Sequence, residues 1–207
     1  MEKTFEVTSG VIVCSDPCYT IDPPTWCQGV VENVKKGTWI AEVEKTDSSS
    51  WGDRIATLTI VNKDSLDKDI TLSNRVEEMY STEPLNFGAG VDSGQFGFFD
   101  KEFYRNDESA KDLKKYGFGD DFETKSGDSW YRACCDLTLD KEQWGVLPNG
   151  AVSSSGFGDG SYDVFGIKND EGEYVAFSVV FIWNDEDEED EWDEEDEWDE
   201  EYEEDEE

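Results

Sequence analysis

The sequence predicts a mostly β domain, an antiparallel sheet or sandwich with one or two short helices and a disordered acidic C-terminal tail. Three observations carry this. Glycine, aromatic and β-branched residues dominate, and long stretches of 3.6-residue period are rare. Apolar and polar residues alternate in short runs bounded by Gly, Pro, Asp and Ser clusters. From residue 185 to 207 the chain holds twenty acidic residues, three aromatics and no cation. At that density self-repulsion outweighs any local burial, so this stretch is expected to be disordered in isolation. The organisation that follows is one globular domain over 1–184 and a tail over 185–207.

The elements read in order. TFEVTSGVIVCSDP is strand, turn, strand, broken at Ser9-Gly10. Pro17, Pro23 and Pro24 make 16–26 a loop. GTWIAEVEK puts Trp39, Ala41 and Val43 on one face; RIATLTIVNK turns Ile55, Leu58 and Ile60 inward. The cluster TDSSSWGD between them predicts a hairpin. DITLS, at 69–73, reads as a further short strand. LNFGAGVDSGQFGFFD predicts two strands around Asp92-Ser93-Gly94. Residues 107–116, DESAKDLKKY, give the best helix signal: an acidic first turn, later lysines and Gly117 as a stop. WYRACCDLTL is left open between strand and helix. From Gly150 onward the pattern predicts a strand, a Gly-rich loop, a strand over 162–167, a turn at 169–172 and a last strand ending near Trp183.

Composition narrows function. Of the 53 acidic residues, 33 precede position 185 and face all 17 Lys and Arg, so the body itself carries about −16. Such a charge repels a phosphate backbone, so direct nucleic-acid binding is not expected. Histidine is absent, which removes His-activated Ser or Cys nucleophiles and His zinc sites. No apolar run of signal-peptide length and none near the roughly 20 residues of a membrane span is visible. The expectation is therefore a cytoplasmic protein with no membrane association.

Cys14, Cys18, Cys27, Cys134 and Cys135 are odd in number and lack the paired spacing of a thiolate zinc site. They read as small buried thiols, with no metal and no cofactor. The tail repeats EEDEWD at 188–193 and 194–199. A solubilising run needs no tryptophan. Trp192, Trp198 and Tyr202, set among acids such as Asp190 and Glu191, have the chemistry of aromatic anchors in a polyanion that meets a basic protein surface. In the body, Asp16, Tyr19, Asp92, Gln95, Asp159 and Tyr162 are candidates for one loop-built surface. Aspartates in such loops are also ordinary turn residues. SSSGFGDGSYD looks like a phosphate cradle but lacks the Lys and helix start of a P-loop.

Three stretches, SGVIVCSDP, VDSGQFGFFD and SSSGFGDGSYD, occur in that order. Together they make the chain resemble a family of uncharacterised bacterial and phage proteins, classed as a domain of unknown function. The resemblance spans about 8–182 and implies a small, mostly β domain with no established activity to carry over. The tail is not part of the family's pattern. The leading expectation is a non-enzymatic binding protein whose polyanionic tail engages a basic partner. Two alternatives are a small-ligand binder or hydrolase using the Gly-rich loop with Asp16, Asp92 and Asp159, and a nucleic-acid mimic of phage type.

Overall fold

A computed structural model describes residues 2–21, 27–66, 72–110 and 127–183. Among the described residues, eleven strands lie in two antiparallel sheets. The first sheet orders β1 (Lys3–Val7), β4 (Gly37–Asp47), β5 (Asp53–Asn62), β11 (Tyr174–Val180), β10 (Gly160–Lys168) and β6 (Ala89–Val91). The second orders β3 (Gly29–Glu32), β2 (Val11–Ser15), β7 (Gln95–Asp100), β9 (Gly150–Ser154) and β8 (Trp144–Leu147).

The core lies between the sheets. Trp39 stacks on Phe177 at 6.0 Å, and Phe177 on Phe98 at 5.9 Å. Ile12, Ile55, Leu58, Ile60 and Phe96 close around them without solvent exposure. The expected inward faces of β4 and β5 are the observed ones, and the two pair as the predicted hairpin. Each sheet is also covered on its outer face, which is why β5 and β7 read as nearly continuous apolar runs. Helix α1 (Leu72–Tyr80) packs Met79, Val76 and Tyr80 on Phe165 and Val180 of the first sheet. Helix α3 (Asp128–Thr138) packs Trp130 on Phe99 of the second and on Tyr104 in the segment after β7.

The sheets meet along both seams. On one side the Glu6 N–H donates to the Pro148 carbonyl, and Asn149 donates to the Glu6 carbonyl. On the other, Gly90 donates to Cys27, and Asn33 and Lys35 exchange backbone bonds with Tyr174. The seams leave the two ends of the sandwich as the places where loops gather.

Three expectations need correction or limits. The strand read in DITLS fails at Leu72 and Ser73, which begin α1. The helix read over 107–116 is seen as α2 (Asp107–Ala110); its remainder lies outside the described residues. WYRACCDLTL, left open, is helical: Trp130, Ala133, Cys134 and Leu137 fall at i, i+3, i+4 and i+7 against one cluster. Its start is fastened by Asp107, whose carboxylate accepts the N–H groups of Gly127 and Trp130.

Candidate functional site

The three sequence motifs converge at one end of the sandwich, and Asp16 is the hub. It follows β2 directly and has no solvent exposure. Its Oδ1 accepts the Cys18 N–H at 2.8 Å and the Ser93 hydroxyl at 2.6 Å. Its Oδ2 accepts the N–H groups of Asp92 and Ser93 at 2.9 and 2.7 Å. One buried carboxylate thus satisfies three backbone donors and a hydroxyl, which is how a buried charge is tolerated. The same bonds hold the turn between β6 and β7, two strands that belong to different sheets.

The third motif joins through the backbone. Ser155, just past β9, donates its N–H to the Gly94 carbonyl at 3.1 Å. Its hydroxyl donates to the Gly158 carbonyl at 2.9 Å, and the Tyr162 hydroxyl reaches the same carbonyl at 2.7 Å. Gly156 sits at φ 58 with its Cα against Phe181 and Ile182, where a Cβ would lie 3.0 Å from Phe181. Only glycine takes that backbone and that approach together.

Below this layer, Tyr104 and Arg105 tie down the first loop. The Tyr104 hydroxyl donates to the Tyr19 carbonyl at 2.8 Å, and Arg105 Nη1 to the Pro17 carbonyl at 2.7 Å. Arg105 holds a left-handed φ of 54, an uncommon conformation for a non-glycine residue. Gln95 is buried and bridges to α3, accepting the Thr138 hydroxyl at 3.0 Å.

The candidate residues therefore divide. Asp16 and Gln95 are buried and build the surface without lying on it. Tyr162 is half-buried and braces the Gly-rich loop. Tyr19 is half-buried, and its hydroxyl lies against the Asp92 carboxylate. Asp92 and Asp159 are exposed. Sequence reading overlooked Phe157, 63% exposed at the crest of the Gly-rich loop, and the bracing roles of Ser93, Ser155, Tyr104 and Arg105. An aromatic flanked by two glycines was the signal available for Phe157. Trp192, Trp198, Tyr202, Asp190 and Glu191 lie outside the described residues.

Electrostatics keep the acidic protons of this cluster in place. Burial, then the Asp16 carboxylate, pushes the Cys18 thiol up to about 12. Burial pushes the Tyr131 hydroxyl up to about 12, and burial followed by the Asp92 contact raises Tyr19 as well. At neutral pH these groups are donors, not nucleophiles. Among the described residues, no three His, Cys, Asp or Glu side chains are grouped so as to hold a metal ion. Among them, too, no helix is long and apolar enough to cross a membrane.

Residues 5–179 match the family described as protein of unknown function, DUF4241. The chain belongs to this family. Its three motif segments all lie within the matched span, so the Asp16-centred junction is a feature of the DUF4241 region itself. The acidic residues from 185 onward lie outside that span. No curated protein and no solved structure matches the chain.

Proposed function

We propose that this DUF4241 protein is a non-enzymatic binding protein that attaches through the motif-built end of its sandwich, with the acidic tail engaging a basic partner. The observation that carries this reading is the Asp16 carboxylate. It lies without solvent exposure, and its oxygens accept from Cys18, Asp92 and Ser93. A general acid or base must meet substrate; this group instead fixes three loop amides. What the junction presents outward is Asp92 on the β6–β7 turn, and Phe157 and Asp159 on the braced Gly-rich loop: one aromatic and two carboxylates. A rigid aromatic anchor with a polar rim is the usual make-up of a protein contact surface.

The tail supplies a second, softer contact. Trp192 and Trp198 would enter apolar pockets while their acidic neighbours meet Lys and Arg of the partner, an interaction that salt weakens. The setting that fits best is bacterial or phage, in the cytoplasm. Affinity capture with the full chain and with residues 185–207 removed, at low and high salt, tests the tail. The proposal expects partners that depend on the tail at low salt and are lost at high salt. An unchanged partner list sinks that half of it.

Convergence of the loops also favours a second reading, a small-ligand site on Tyr19, Asp92 and Ser93. Hydroxyls beside a carboxylate suit a polyol or an amine. Asp92→Asn would abolish ligand-induced thermal stabilisation on this reading and leave protein capture unchanged.

A further inference from the structure

Among the described residues five large apolar side chains stand exposed: Val30, Trp51, Leu139, Phe157 and Trp183. Val30 lies on β3, the edge strand of the second sheet furthest from β8, and Trp183 packs on the rings of Tyr80 and Phe165. The other three sit on loops tied to one another, and Gln143, between α3 and β8, joins them. Its carbonyl accepts the Ser154 N–H at 2.9 Å, its side-chain oxygen accepts the Ser154 hydroxyl at 3.3 Å, and its Nε2 donates to the Asp53 carbonyl at 3.3 Å. The Gln143 N–H donates to the Asp140 carbonyl at 2.9 Å, which turns the segment just after Leu139 back on itself. Gly156 meets the start of β5 directly: a Cβ there would stand 3.3 Å from the Ile55 carbonyl oxygen. From Trp51 along the strand to Ile55 and across to Phe157 is therefore no more than about 25 Å. That fits within one protein contact of standard size, about 800 Å² per partner.

Each of the three stands on fixed backbone. At the tip of the β4–β5 hairpin the Ser48 N–H donates to the Gly52 carbonyl and the Trp51 N–H to the Ser48 carbonyl, while the Asp47 carboxylate accepts the Ser49 N–H. Trp51 is 68% exposed there, with the Arg54 guanidinium 6.0 Å from its ring centroid, within cation–π reach. Leu139 is 81% exposed at the end of α3, its N–H held by the Cys135 carbonyl at 2.8 Å. Phe157 rides the loop that Ser155 and Tyr162 brace. Apolar groups held in place before contact lose little freedom on binding. Around them Asp47, Asp53, Asp140, Glu142 and Asp159 are exposed, against Lys45, Lys141 and the half-buried Arg54. An apolar centre inside a mainly acidic rim is complementary to an apolar face bordered by Lys and Arg. We infer that Trp51, Leu139 and Phe157 form one contact surface, and that it takes a basic amphipathic helix of a partner protein. The inference rests on the reading of this end as the attachment face and extends it to Trp51 and Leu139, which that reading does not use.

The test is an NMR titration of the full chain with a peptide of about 14 leucines and lysines in amphipathic order, about 21 Å long as a helix. A peptide with alanine in place of each leucine carries the same charge, so attraction to the acidic chain at large is common to both. The expected result is that the Trp51 indole N–H, the Leu139 methyls and the Phe157 amide move together with one midpoint, while Val30 stays fixed. The alanine peptide should need about tenfold more to do the same, and Trp51→Ala with Leu139→Ala should weaken the leucine peptide at Phe157 by about tenfold or more. Equal response to both peptides overturns the inference, as do separate midpoints for Trp51 and Phe157, which need no variant to see. Weakening by Phe157→Ala but not by the Trp51, Leu139 double variant leaves attachment at the Gly-rich loop standing and overturns the wider surface. Movement of the same resonances with phosphatidylcholine vesicles but not with the leucine peptide assigns the patch to a lipid surface and overturns it too.

Discussion

Ser93 gives both its backbone N–H and its hydroxyl to the carboxylate of Asp16, at 2.7 and 2.6 Å, across 77 positions of sequence. This pair couples the loop after β2 to the turn between β6 and β7. The Gly94 carbonyl then passes the coupling on to Ser155 and the Gly-rich loop. The end of the sandwich is thus one hydrogen-bonded unit, and its predictions follow from that.

Removing the hub should cost more than a surface change. Asp16→Ala leaves the N–H groups of Cys18, Asp92 and Ser93 without their acceptor. The expected loss is about 3 kcal/mol or more, since each buried donor left unpaired costs roughly 1–3 kcal/mol. Asp16→Asn should recover only part of it, because an amide nitrogen then faces N–H donors. Urea unfolding measures both; a loss below about 0.5 kcal/mol for Asp16→Ala would contradict the hub.

Asp100 does the same work at the opposite end of β7, with an acid signature. Its carboxylate accepts from the Thr8 and Ser9 N–H groups and from Glu102. Burial alone would raise its pKa, but the bonds from Ser9, Thr8 and Glu102 together outweigh it and the value is lowered. A lowered carboxyl adds stability above its unfolded value of about 4, which is lost as pH falls through the folded value. Asp100→Asn should therefore destabilise at pH 7, and the gap from the parent should close below about pH 4. Thermal melts across pH test this, and a gap that widens in acid refutes it.

The close approach of β7 to β9 admits no side chain at Gly97. A Cβ there would lie 2.4 Å from the Ala151 carbonyl oxygen, a backbone atom that cannot swing aside. Gly97→Ala should shift the sheet and cost about 2 kcal/mol or more, within the range of overpacked cores. An unaltered melting temperature would be inconsistent with this register.

Thiol chemistry offers a direct reading of the site's protons. Cys18 is half-exposed yet raised to about 12 by burial and by Asp16. Its alkylation by a maleimide at pH 7 should be slow in the folded chain and rise with pH toward 10, because the thiolate is the reactive form. Rapid labelling of Cys18 at pH 7 would show a thiolate that this geometry does not support.

Much of this fold is legible in local pattern. The alternation in GTWIAEVEK and RIATLTIVNK gives β4, β5 and their pairing, because side chains on one face share one fate. What the pattern does not carry is the assignment of strands to sheets. β1 and β2 are neighbours in sequence but lie in different sheets, as do β6 and β7. A turn such as Ser9-Gly10 looks the same locally whether it closes a hairpin or crosses between layers. Helix α1 was missed because Val76, Met79 and Tyr80 are its only large apolar residues after Leu72, too few against LSNRVEEMY as a whole. At the site, the motif aspartates were visible but their burial was not. Asp16 and Asp92 look alike in sequence, yet one is enclosed and the other faces water. That difference comes from 77-residue contacts no local window contains.

The surface claim needs a variant that leaves the fold alone. Phe157 is 63% exposed and, among the described residues, belongs to none of the core clusters. Phe157→Ala should change stability by less than about 0.5 kcal/mol, as surface substitutions do. The most direct measurement is the affinity of a captured partner for the parent chain and for Phe157→Ala with Asp92→Asn and Asp159→Asn. The account predicts a loss of about tenfold or more, as expected for removing an aromatic anchor with its rim, with the melting temperature retained. Equal affinity for the parent and the triple variant would contradict attachment through the motif-built end.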